Sequence, residues 1–256
     1  IPGKEEFYET IRYFNKQLEL HKVTVKLNTR VTAEDLKNGH FDEVIIATGI
    51  VPRKPKIEGI EHAKVLNYID VLKLKKPVGK RVAVIGAGGI GFDVSEYIAH
   101  EGESTSLQID AWLKEWGIDK TLEARSGIEG VKAEVHPSPR EIFMFKRSKG
   151  KFGGKLGKTT GWIHRSSLKK KKVQFINNVQ YTKIDDEGLH YVQDEEQKVL
   201  VVDTVIICAG QVPFATLVAP LEAKGIKVHV VGGADVAAEL DAKRAINQAS
   251  RLAASI

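Results

Sequence analysis

Residues 81–100, RVAVIGAGGIGFDVSEYIAH, constrain this chain more than any other stretch. Four apolar residues, Val82 to Ile85, run straight into Gly86, Ala87, Gly88, Gly89, Ile90 and Gly91, and a helical pattern follows. The apolar run reads as a buried strand. In Gly86-x-Gly88-x-x-Gly91 the first glycine permits a tight turn, and the second lets backbone amides approach phosphate oxygens. The third lets the helix lie close to the strand. The unpaired N–H groups at the helix start then face an anion. This combination predicts a dinucleotide-binding unit; the competing reading is a glycine turn with purely steric duties.

A fold of this type that takes NAD places an acid about 20 residues beyond the glycines, at the tip of the next strand. That window here is GESTSLQIDAW, which is no strand end. A long interruption, 101–139, with a helical centre and a Pro-Ser-Pro ending, displaces the next strand to EIFMFKR, 141–147. Its tip carries Lys146 and Arg147, with Lys149 and Lys151 beyond. An acid at such a tip bonds the ribose 2′-OH of NAD, whereas cations accommodate the 2′-phosphate of NADP. The expected cofactor is therefore NADPH, with Arg147 as the 2′-phosphate clamp, Lys149 in support and Arg165 of GWIHR the next candidate. The competing reading of Arg147 is a solvated surface cation.

Charge is unevenly spread. Residues 142–184 contain no Asp or Glu, and 146–172 hold 11 of the 39 Lys and Arg residues, leaving 28 bases against 33 acids elsewhere. The LKKKK run at 168–172 reads as a solvated face at a helix end, where cations suit the dipole. GGKLGKTT fails as a phosphate loop, because position 152 is Phe and no strand precedes it. No recognition module argues for nucleic acid. No apolar run approaches the roughly 20 residues that span a bilayer, so no membrane partner is expected, and a cytoplasmic setting is the expectation. The single cysteine, Cys208, rules out an internal disulfide and leaves no metal site in view.

Along the chain, KEEFYETIRYFNKQLELHK reads as a helix, HKVTVKLNTRVT (21–32) and FDEVIIATG (41–49) as strands, and IVPRKPKIEG as a linker. VQFINNVQYTKIDDEGLHYV and KVLVVDTVIICAG supply further strands. KVHVVGGADVAAELDAKRAINQASRLAASI reads as strand, turn and amphipathic helix starting at Val236, with Val236, Ala237, Leu240, Ile246, Ala249 and Leu252 near one face. This order predicts an α/β fold: a Rossmann-like three-layer NAD(P)-binding domain, 51–210, inserted into a truncated domain made of 1–50 and 211–256. The opening Ile-Pro-Gly, in place of Met, leads us to expect a piece of a longer polypeptide.

The tail VHVVGGADVAAELDAKRAINQASRLA resembles the C-terminal flavin motif of the pyridine-nucleotide disulfide reductase superfamily. That resemblance implies that Asp235, at a Gly-Gly-x-Asp turn with Gly233, bonds the ribityl chain of FAD, and that a helix from Val236 faces the flavin. The alternative for Asp235 is a simple helix cap. IIATGIVP and IICAGQVP resemble the two crossover segments, which brings Thr48, Gly49 and Gly210 near the FAD. Asp93 lies where related reductases place an acid near the nicotinamide; a first-turn helix acid is the equal alternative. GGIGFD, LGKTTGWIHR, the Ser-Pro-Arg before EIFMF and the tail together resemble the C-terminal region of bacterial NADPH-dependent 2,4-dienoyl-CoA reductases. The resemblance implies a hydride passed from NADPH to FAD, then electrons through a 4Fe–4S cluster to FMN in an N-terminal barrel, which reduces an enoyl-CoA thioester in unsaturated fatty-acid β-oxidation. The barrel, its cluster cysteines and the first FAD fingerprint are not in this sequence, so this piece alone is not expected to reduce a dienoyl-CoA. It contributes no catalytic side chain of its own to that step. The alternative is a nucleotide-binding module without hydride transfer, as in trimethylamine dehydrogenase relatives.

Overall fold

A computed structural model describes residues 1–154, 156–238 and 242–256. In chain order its elements begin with helices α1 (Phe7–Leu20) and α2 (Ala33–Asn38), then strands β1 (Glu43–Ile46), β2 (Ile50–Pro52) and β3 (Val65–Asn67). Helix α3 (Tyr68–Leu72), strand β4 (Arg81–Ile85), helices α4 (Gly89–Ile98) and α5 (Ile109–Trp116) and strand β5 (Glu141–Phe145) follow. Helix α6 (Gly161–Lys170) leads to β6 (Gln174–Ile176), β7 (Val179–Ile184), β8 (Leu189–Gln193), β9 (Glu196–Leu200) and β10 (Thr204–Ile207). The chain closes with β11 (Gln211–Pro213), α7 (Val218–Glu222), β12 (Lys227–Val230) and α8 (Ala242–Ala253). These form two compact units, 1–15 with 54–209 and 16–53 with 210–256.

The first unit is built on a parallel sheet in the order β3-β10-β4-β5-β6. Val82 to Ile85 are buried along their whole run, which is why that segment reads as unbroken apolar sequence and not as alternation. Ala83 and Ile85 join Phe143, Phe145, Val205 and Ile207 in one core with Val179, Ile184, Leu189 and Tyr191 of the antiparallel sheet β7-β8-β9. Phe145 meets Tyr191 edge-on, ring centroids 5.1 Å apart. Helices α3 and α6 both pack against α4. The three layers are thus helices, parallel sheet and antiparallel sheet, and the α/β class expected from sequence is the one found.

In the second unit β1 pairs in parallel with β12, Glu43 opposite Lys227, and β2 pairs antiparallel with β11. Its core is Ala33, Val44, Ile46, Leu221 and Ala234. A capping box, Thr32 with Asp35, starts α2.

The structure corrects the sequence reading at several points. Residues 1–15 group with the first unit, not with 16–50, because Lys4 pairs with Asp93 and the Gly3 amide donates to Ser104. The 21–32 segment forms no strand. Lys22 and Asn28 adopt left-handed φ of 54° each, and the alternating Val23, Val25 and Leu27 stay exposed. Alternation yields a strand only where one face finds a sheet to cover it. No helix begins at Val236; a single 3₁₀ turn, Gly232–Ala234, is followed by irregular chain to 238, and α8 starts at Ala242. Side chains reaching back from α8 satisfy that turn: Gln248 Oε1 accepts from Gly232 N at 2.8 Å and Arg244 donates to Val236 O at 2.8 Å. Leu240 and Lys155 lie outside the described residues. Among the described residues no helix is long and apolar enough to cross a membrane.

Candidate nucleotide-binding site

The turn after β4 is shaped by its glycines, each for a separate steric reason. Gly86 has φ +122°, and a Cβ there would lie 2.4 Å from Cys208 O. A Cβ on Gly91 would lie 1.9 Å from Gly86 O, so the helix can approach the strand only without a side chain at that position. Gly88 and Gly89 face open space. Gly88 is the N-cap of α4 and has no side chain to satisfy the first amides. With Ala87 and Ile90 they make a cradle into which unpaired N–H groups can bond a phosphate. The cradle lies at the C-terminal edge of the sheet, between β10 and β5.

Beside it, the loop after β5 is held by an aromatic anchor. Phe152, buried, tilts against Phe175 with centroids 4.9 Å apart, and Phe175 stacks on Phe92 of α4 at 6.4 Å. Gly153, at φ +63°, sits so close to the Phe92 ring that a Cβ would be 3.0 Å from it. Lys146 is held in this loop, donating to Lys151 O at 2.9 Å with its ammonium 5.6 Å from the Phe152 ring centroid. Arg147 and Lys149 are exposed, and among the described residues neither has an ion-pair partner. Arg165, on α6, donates to Gly153 O at 3.4 Å, which brings it to the same loop as Arg147 and Lys149. Burial pushes the Tyr181 hydroxyl well above its ordinary range, with the charge of Arg147 acting the other way. The sequence pointed to the cations; the isolated Phe152 in a Gly- and Lys-rich loop was the available signal for the anchor.

Asp93 is not the first-turn acid of the alternative reading. It is the fifth residue of α4, beyond the first turn, and its Oδ1 pairs with Lys4 Nζ at 2.6 Å. One turn on, the Glu96 carboxylate accepts from His164 Nδ1 of α6 at 2.9 Å; burial raises its pKa, the imidazole opposing. Lys4 gave no sequence signal, since its partner lies 89 residues away. Cys208 is buried, and desolvation raises its thiol far above neutrality, so it is an inert packing residue.

In the second unit, the Thr48 hydroxyl donates to Phe214 O and the Phe214 amide donates to Gly49 O. Gly49 has φ +75° with open space where a Cβ would stand, and Gly210 has φ +97° against the Arg53 guanidinium. Strand β11 packs on the Gly232–Ala234 turn that carries Gly233. Asp235 is exposed and accepts from Gln248 Nε2 at 2.8 Å; it caps no described helix, since α8 starts at Ala242.

A parallel sheet with this glycine cradle at its centre defines a dinucleotide-binding domain. The chain belongs to the pyridine nucleotide-disulphide oxidoreductase family, whose model matches residues 5–244. That family binds FAD and a pyridine nucleotide. It is 26% identical over 239 residues to a metal reductase of Desulforamulus reducens, covering 91% of this chain and 34% of that protein. It is 26% identical over 248 residues to a bilirubin reductase of Mediterraneibacter gnavus, covering 96% of this chain and 32% of the relative. The chain thus spans about a third of the length of these curated relatives. Its fold resembles a 2-naphthoyl-CoA reductase solved in complex with 2-naphthoyl-CoA, with TM-score 0.77, 24% identity, 98% of this chain and 32% of the other. It also resembles histamine dehydrogenase from Rhizobium sp. 4-9, with TM-score 0.69, 18% identity, 100% of this chain and 37% of the other.

Proposed function

We propose that this chain is the hydride-input part of a flavoprotein oxidoreductase of the 2,4-dienoyl-CoA reductase type, and that it selects NADPH. The observation that carries this reading is the tip of β5, where two exposed cations, Arg147 and Lys149, stand in place of the acid that would read a ribose 2′-OH. The amides at Gly88 to Ile90 hold the pyrophosphate at the start of α4. Arg147 closes on the 2′-phosphate as a planar fork, with Lys149 and Arg165 adding charge. Thr48, Gly49, Gly210, Gly233, Asp235 and Val236 are the residues that would hold FAD; open backbone at Gly49 and an exposed carboxylate at Asp235 fit a ribityl chain. A bound flavin supplies the two-electron acceptor that a chain with one buried thiol lacks. The whole protein is proposed to carry FMN and a 4Fe–4S cluster in a further barrel domain of the same polypeptide, and to act on an enoyl-CoA thioester in unsaturated fatty-acid oxidation. The 2-naphthoyl-CoA reductase fold supports a thioester substrate for the class.

The test is calorimetric titration with NADPH and NADH at matched salt. NADPH binding at least tenfold tighter than NADH supports the reading, whereas equal affinity or an NADH preference overturns the assignment of the β5 tip. The second reading, which the resemblance to trimethylamine dehydrogenase relatives implies, is a nucleotide-binding module without hydride transfer. NADPH that binds the full-length flavoprotein yet leaves the flavin absorbance unchanged would select it.

A further inference from the structure

At the opposite edge of the parallel sheet from the glycine cradle lies a groove of about 710 Å³. Three separate segments bring cations to it: Lys80 and Arg81 at the start of β4, Arg140 just before β5, and Lys170 to Lys172 at the end of α6 and in the turn that follows. The single acid on its wall is Glu141. That carboxylate is already engaged, taking Arg81 Nε at 2.8 Å and Gln174 Nε2 at 3.3 Å. Among the described residues, Lys80, Arg140, Lys170, Lys171 and Lys172 have no carboxylate within ion-pair distance. Six cations therefore line this concave space with one acid, which Arg81 already pairs; the Arg140 guanidinium donates to Val78 O at 3.4 Å and to Ile98 O at 2.9 Å without losing its charge.

The LKKKK run is consequently more than the solvated face its sequence suggests. Lys170 lies over the Trp116 ring at 4.0 Å, and Lys171 is half-buried, donating to His136 O at 2.7 Å. Desolvation lowers the Lys171 pKa, with the charge of Glu115 opposing, and an anion beside this ammonium would offset the cost of its burial. Concentrating like charge in a concavity opposes folding unless something compensates it. A volume of this size lies in the roughly 300–1,000 Å³ range of small-molecule sites.

We propose that this groove is a second anion site, separate from the nucleotide cradle, that takes an oligophosphate group. With Arg81 paired to Glu141, one phosphate would leave most of the other five charges uncompensated, whereas a chain of two or three phosphates matches cations supplied from three segments. Five strand residues at about 3.3 Å each put this groove some 16 Å from the cradle, at the other end of β4. A free oligophosphate and the phosphate tail of a nucleotide share this chemistry.

The experiment is calorimetric titration of the protein with tripolyphosphate and, separately, with ATP, both in the presence of saturating NADPH. Binding of either, weakening steeply as salt is raised, supports the site. Equal affinities indicate that the phosphate chain alone is recognised, and an ATP affinity at least tenfold higher indicates a nucleotide source. Lys80 and Lys172 are exposed and unpartnered, so the Lys80→Ala/Lys172→Ala variant keeps the fold, and its tripolyphosphate affinity should fall tenfold or more while NADPH affinity changes less than twofold. An Arg147→Ala variant should bind tripolyphosphate as the wild type does. No binding of either ligand, unchanged affinity in the double lysine variant, or loss of binding in Arg147→Ala would overturn the proposal.

Discussion

Lys4 Nζ lies 2.6 Å from Asp93 Oδ1, tying the segment ahead of α1 to the middle of the helix that follows the glycine turn. Both side chains are partly exposed, at 35% and 21%. Screening by solvent leaves such a pair worth about 1 kcal/mol. A double-mutant cycle with Lys4→Met and Asp93→Asn, read by chemical denaturation, should give a coupling of that order that shrinks in high salt. A coupling of zero would mean that the segment is held by other contacts.

The glycines of the cradle should respond unequally to substitution. In Gly91→Ala the new methyl meets the Gly86 carbonyl, which is backbone and cannot swing away. Overpacking of this kind costs about 2 kcal/mol or more, so Gly91→Ala should lower the melting temperature and weaken NADPH and NADH together. Gly88 has φ −87° and open space, so Gly88→Ala should melt like the wild type while losing affinity for both nucleotides. Thermal denaturation paired with titration separates the two effects.

Asp119 carries a pH dependence whose sign is set by its hydrogen bonds. Its carboxylate accepts from the amides of Ala124 and Thr121 and from the Thr121 hydroxyl, which hold its pKa at about 2, below the ordinary 3.8. A depressed folded pKa means stabilisation that is fully present above 3.8 and is lost as the pH falls towards 2. Carbon-13 NMR of the Asp119 carboxyl should give a midpoint near 2, and Asp119→Asn should remove its share of the acid-side stability loss. A midpoint near 3.8 would mean that the loop is not formed in solution.

Phe152 touches no proposed ligand, yet it positions the loop that carries Arg147 and Lys149. Phe152→Ala should weaken NADPH several-fold and leave NADH nearly unchanged, and Phe152→Leu should restore part of the difference. Equal loss for both nucleotides would assign the ring to general packing of α4.

The sheet that builds the site was legible because its strands are buried on both faces. Val82 to Ile85, Ile142 to Phe145 and Val205 to Ile207 are unbroken apolar runs, and the glycine spacing located the turn between the first of these and α4. The cationic tip of β5 could be read once the 101–139 interruption had been recognised as an insertion. Elements settled by long-range partners were not legible. The 21–32 alternation promised a strand, but pairing depends on a neighbour that no local pattern specifies. The turn at Gly232 is satisfied by Gln248 and Arg244 from sixteen and twelve residues on, so the helical periodicity extended too early, to Val236. Lys170 to Lys172 looked like an ordinary solvated helix end, because the sequence does not show that Lys80, Arg81 and Arg140 face the same groove.

The central claim, that the β5 tip reads a 2′-phosphate, is tested most directly by the ratio of NADPH to NADH affinity in Arg147→Ala. Charge-assisted contacts of this kind contribute on the order of 1.5–3 kcal/mol, and about 1.4 kcal/mol is tenfold in affinity. NADPH binding should therefore weaken roughly ten- to a hundredfold while NADH binding hardly moves, so the ratio collapses towards one. An unchanged ratio, with both nucleotides still bound as in the wild type, would contradict the account.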